Sequence, residues 1–246
     1  PYLETLLVFL VALQLLAVVG LGLSSWLGEG LGLSILLVNW LALPVVFWAR
    51  ARGRDRHEVT AAVGWHRGAG IGREIGSGLV AYVAALPILA LALGVTLSLS
   101  RVVEKTPHHP IVDWVRDPGR FDVMVLFLIA GVWAPLVEEA IFRGAFYHYL
   151  RGRLRPIAAA LAVAVLFAGI HPHGILGLPV LITLAVALAL TREWRGSIVA
   201  PVTMHCVHNG AAVTLLLLLT RGRSTPLLPM LPLSTARRPA TEKRPR

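Results

Sequence analysis

Between its charged stretches the chain runs through seven apolar segments, at about 5–23, 31–48, 79–99, 121–150, 156–171, 174–191 and 196–220. Each is long enough, or nearly so, to cross a hydrocarbon core that takes about 20 helical residues. No other feature limits the possible folds as strongly. In lipid, backbone N–H and C=O groups find partners only inside a helix or a closed barrel. The runs are continuous rather than alternating, which rules out a barrel. The expected fold is therefore all-α: a polytopic integral membrane bundle of about seven to eight transmembrane helices, multi-pass in a cell membrane. Composition agrees, with mean hydropathy +0.72 and 15% charged residues, against about 25% in soluble domains.

The net charge of +10 does not indicate a nucleic-acid partner. The basic residues gather in short stretches between apolar runs and in the last 26 residues, where orientation signals and attraction to anionic lipid explain them. There is no aromatic interleaving and no recognisable reading module. The partners expected are the lipid bilayer and a peptide or protein substrate at the membrane. The single cysteine, Cys206, excludes an internal disulfide and a cysteine-based zinc cluster.

Three regions follow. Residues 1–100 are N-terminal membrane helices interrupted by a basic cytoplasmic or interfacial segment, 49–78, whose glycine-rich part reads as an interfacial helix or lid. Residues 120–220 form a membrane core, and 221–246 a basic tail of disordered composition. With 49–78 in the cytoplasm, alternation puts "RGRLR" (151–155) and "TREWR" (191–195) on that side, as the positive-inside tendency requires. The same count leaves the basic tail outside, a misfit.

Ionisable residues inside the apolar segments are few. The fourth segment holds Glu138, Glu139 and Arg143, with His148 near its end; the fifth ends in His171, followed by Pro172 and His173; the seventh holds His205, His208 and Asn209. A charge at the centre of a membrane helix costs roughly 2.5–3.5 kcal/mol on insertion scales, so such residues mark functional sites by default. Glu139 and Arg143, four apart, share a helix face and can pair. Glu138 points about 100° away and lacks that local partner, which makes it the better base. His205 and Asn209 also share a face, as do Phe167 and His171. Pro135 and Pro201, just before these residues, suggest that both helices open locally beside the site.

Taken in order, Glu138-Glu139-x-x-x-Arg143, Phe167-x-x-x-His171 and His205-x-x-x-Asn209 resemble the intramembrane proteases of the CAAX protease and bacteriocin-processing (CPBP, or Abi) family, of the Ras-converting CAAX endopeptidase type. The resemblance covers roughly residues 120–215. It implies that Glu138 and His171 activate a water. His205 and Asn209 would stabilise the oxyanion or hold the water or a metal. Glu139 and Arg143 would support them, and Phe167 would pack. It leaves the metal open: Glu138, His171 and His205 are ligand types that suit Zn2+, yet no H-E-x-x-H occurs, and a glutamate-activated water would use the same residues. The implied activity is intramembrane hydrolysis of a peptide bond in a prenylated or hydrophobic C-terminal substrate. A reading from another class is a non-catalytic transporter, or an immunity or scaffold protein, using the same polar cluster. Its weakness is that the polar residues all lie in one half of the chain, whereas transporters repeat them.

Overall fold

The computed structural model describes residues 1–27, 47–103, 120–171 and 174–221. Most of the expected span 31–48, the loop residues 104–119 with His108 and His109, Pro172, His173, and the tail after Arg221 lie outside the described residues.

Every described element is helical, as the apolar runs require. We number them α1 (Tyr2–Leu27), α2 (Trp48–Ala51), α3 (Arg56–Val63), α4 (Ile71–Val102), α6 (Pro156–Gly169), α7 (Gly174–Arg195) and α8 (Val199–Arg221). Between α4 and α6 comes α5, a continuous helical run of five pieces. Arg120–Leu128, Ala134–Glu138 and Tyr147–Arg151 are α-helical, and Ile129–Trp133 and Glu139–Phe146 are π-helical. Four of these stretches are long and apolar enough to span a membrane: Ile71–Val102, Val123–Arg151, Gly174–Arg195 and Val199–Leu219. Their outer faces stay apolar and uncovered, with Val80, Val83 and Leu91 more than half exposed. A soluble protein rarely shows such a surface; a bilayer covers it.

The helices approach closely because small residues line their contacts. α6 turns Ala159, Ala160, Ala164 and Ala168 inward, all essentially without exposure, against Ala185 and Ala189 of α7. At 14 residues α6 is too short to cross alone and is sunk against its neighbours, as expected for this segment. Where α4 meets α8, a β-carbon on Gly78 would lie 2.5 Å from the Ala200 carbonyl oxygen. Of the glycine-rich stretch 64–78, the part from Ile71 onward forms the opening turns of α4, where the missing side chain of Gly78 permits the crossing.

The three basic stretches meet at one end of the bundle. Ile198 N–H donates to Gly64 O, Ser197 Oγ to His66 O, and Arg192 to Ala62 O. Arg195 grips the buried carboxylate of Glu74 through two bonds of 2.7 and 3.1 Å, and Arg151 does the same to Glu193. Glu4, at the start of α1, pairs there with Arg52 and accepts from Trp48 Nε1; these contacts hold its pKa below the usual carboxylate value, the Trp48 bond being the largest cause. This common end agrees with the expectation from charge that the three stretches lie on one side.

Candidate active site

The site is built from the middle of α5, the end of α6 and the first third of α8. His205 lies seven residues past Ile198, about 10 Å along α8 from the basic end, so the cluster is inside the apolar layer.

Its centre is the carboxylate of Glu139, wholly buried. Oε1 accepts from Arg143 Nη1 at 2.9 Å and lies 2.8 Å from His205 Nδ1. Arg143 is equally buried and spends Nη2 on the carbonyl of Ala185, 3.1 Å away on α7. An i,i+4 pair in an α-helix would bring the two side chains together in any case. Here they sit in a π-helical segment, which shifts every following side chain round the axis and turns both inward at once. Phe167 covers the pair from α6: the Arg143 guanidinium stands 4.6 Å over its ring. The same ring meets His171 at 4.4 Å and His205 at 6.0 Å between centroids. Phe167, expected to pack, is the common wall between the two histidines.

Glu139 also decides the chemistry of His205. A carboxylate already accepting from Arg143 can only accept, so Nδ1 carries the proton and donates it. Nε2 is then left with its lone pair, and it faces Glu138 Oε2 at 3.8 Å. That distance is too long for a direct hydrogen bond and suits two groups that share a water. Glu138, unlike its neighbour, is partly open, with 21% of its side chain exposed. His171 turns Nδ1 onto Phe167 O at 2.6 Å, its own preceding turn, so that ring is oriented by its own helix.

Asn209 reaches elsewhere. Its Nδ2 donates to Ala130 O at 2.8 Å, on the first π-helical segment of α5. In that segment Ala134 N–H bonds Ile129 O; the next bond in register would come from residue 135 to Ala130. Residue 135 is proline and has no N–H, so the helix is opened there as the sequence suggested. Pro201 opens nothing. It sits in the first turn of α8, where backbone N–H groups have no helical partner to lose.

The three potential zinc ligands do not assemble. Among the described residues no three His, Cys, Asp or Glu side chains stand close enough to hold one metal ion. His205 and Glu138 face one point, but zinc sites take at least three protein ligands.

Two features escaped the sequence reading. One is the link from Asn209 to the proline gap, which no spacing within α8 reveals. The other is His208, whose ring meets Tyr82 edge-on at 6.0 Å with Nδ1 buried and without a partner.

The chain is thus an all-helical membrane bundle in which a carboxylate and a histidine face each other among the packed helices. Residues 120–211 match the family model described as Type II CAAX prenyl endopeptidase Rce1-like. All seven motif residues fall within it. No curated protein and no solved structure matches the chain.

Proposed function

We propose that the chain is an intramembrane endopeptidase that hydrolyses a peptide bond near the C-terminus of a membrane-associated substrate, prenylated or otherwise hydrophobic there. The observation that carries this reading is the opposition of Glu138 Oε2 and His205 Nε2 across 3.8 Å.

A water between them gives a proton to the Glu138 carboxylate as its oxygen attacks the scissile carbonyl carbon. His171, on the other side of the Phe167 ring from His205, is the further histidine that the family resemblance assigns to water activation. His205 Nε2, left with its lone pair, accepts from the other hydrogen of that water and holds it for attack, while Glu139 on Nδ1 fixes the ring. As the carbonyl oxygen gains charge, the remaining N–H of Asn209 donates to it. Glu138 then returns the proton to the leaving amine as the C–N bond breaks. One O–H and one C–N bond are broken, one C–O and one N–H formed.

The test is cleavage of a membrane-anchored peptide by the full chain in liposomes. Glu138→Gln should lower the rate by roughly 10²–10⁴-fold, the range for a general base. Full activity in that variant would end the proposal, and substrate flux without cleavage would favour a transporter.

A further inference from the structure

We propose that the groove between α2 and α3 is a binding site for an anionic phospholipid, seated at the basic end of the bundle. The groove is a cavity of about 390 Å³. Its floor is apolar, formed by the buried Val59 and Val63; the exposed aromatics Phe47 and Trp65 flank it, and Arg50 and Arg56 line it.

The pairing of charges in this region singles out those two arginines. Four arginines alternate along 50–56. Arg52 is neutralised by Glu4 at 2.9 Å and Arg54 by Glu58 at 2.8 Å. The nearby Asp55 is occupied as the cap of α3, accepting from His57 N–H, and that backbone bond holds its pKa below the usual carboxylate value. Arg50 gives one N–H to Arg54 O, and among the described residues neither Arg50 nor Arg56 meets a carboxylate. So the acids present neutralise the arginines outside the groove and leave the two inside it.

The location selects a lipid over a free anion. Trp65, which lines the groove, stands between Gly64 and His66, whose carbonyls accept from Ile198 N–H and Ser197 Oγ at the basic end. The groove thus lies at headgroup depth, where tryptophan and phenylalanine collect in membrane proteins. A phosphate held between two guanidiniums, with an acyl chain along Phe47, Val59, Val63 and Trp65, matches both halves of the lining.

Native mass spectrometry of the full chain in detergent, titrated with phosphatidylglycerol or phosphatidylcholine, tests this. Phosphatidylglycerol should be retained in preference. Arg50→Gln and Arg56→Gln should each weaken it roughly fivefold, from about 1 kcal/mol per basic residue at an anionic surface. Phosphatidylcholine retention should not change. Arg67→Gln, at the same end but outside the groove, is the control; an equal loss there would show diffuse attraction and overturn the site. Trp65→Ala should weaken both lipids, and no effect would remove the acyl half of the proposal. Displacement of phosphatidylglycerol by equimolar inorganic phosphate would show a free-anion site and also overturn it.

Discussion

Asn209 supplies to Ala130 O the hydrogen bond that Pro135 cannot make. A side chain on α8 thereby completes the backbone of α5 beside the carboxylates, and the two helices that carry Glu138 and His205 are joined at the point where one is weakest. Asn209→Ala should cost about 1–3 kcal/mol, the penalty for a partly buried acceptor left without a donor. Pro135→Ala restores an N–H at that position, so the same asparagine change made on top of it should cost clearly less. Thermal unfolding of the four proteins of this cycle in one detergent measures the coupling; equal costs in both backgrounds would refute the link.

Glu138 and Glu139 are adjacent in sequence and should separate cleanly in experiment. Glu138→Gln removes a partly exposed group and should leave unfolding within about 0.5 kcal/mol of the parent while cleavage is lost. Glu139→Gln leaves the guanidinium of Arg143 buried without its counter-charge, which costs about 3–5 kcal/mol. Parallel measurement of cleavage and unfolding decides whether the two carboxylates are divided in this way.

Arg143→Lys keeps the charge and loses the fork. A lysine cannot span Glu139 Oε1 and Ala185 O together as the guanidinium does. The expected result is a loss of about 1.5–3 kcal/mol, from the charge-assisted bond to the Ala185 carbonyl that is given up, with some activity remaining because His205 keeps its carboxylate. Stability equal to the parent would show that the Ala185 contact is of no consequence.

Gly78→Ala should destabilise the bundle by about 1–3 kcal/mol, the usual cost of overpacking. The added carbon would meet a backbone carbonyl and the Thr203 β-carbon at 2.5 and 2.7 Å, neither of which can turn away. Since Thr203 is two residues from His205, cleavage should fall as well. The neighbouring Gly76, with open space at its β-carbon, should tolerate alanine on both measures.

Two facing groups bind zinc weakly, so the purified protein should carry well under one zinc per chain. His171→Ala should leave that content unchanged. Metal analysis after dialysis checks both, and stoichiometric zinc lost on that substitution would show a third ligand brought in by rearrangement.

The helical class, the approximate limits of the long spans and the shared side of the basic stretches were all legible in the chain. Each follows from a local rule: lipid allows the backbone few structures, and arginine stays in water. The pairing of Glu139 with Arg143 was legible for the same reason, since two residues four apart on one helix meet whatever the rest of the protein does. The start of α4 at Ile71, ahead of the expected span, was not legible because Gly78 serves a contact with α8, more than a hundred residues away. Pro201 misled because a proline is disruptive or harmless according to where its helix begins, which α8 settles only by starting at Val199.

Residue types and spacings along this chain thus determine which side chains can serve and which neighbours on the same helix they meet. They leave open which atom of His205 faces which carboxylate, why Asn209 is needed by another helix, and which arginines remain without an acid. Those depend on distances between segments brought together by packing, and a hydrogen bond or ion pair exists only when its partners come within about 3–4 Å. Only the folded bundle sets those distances.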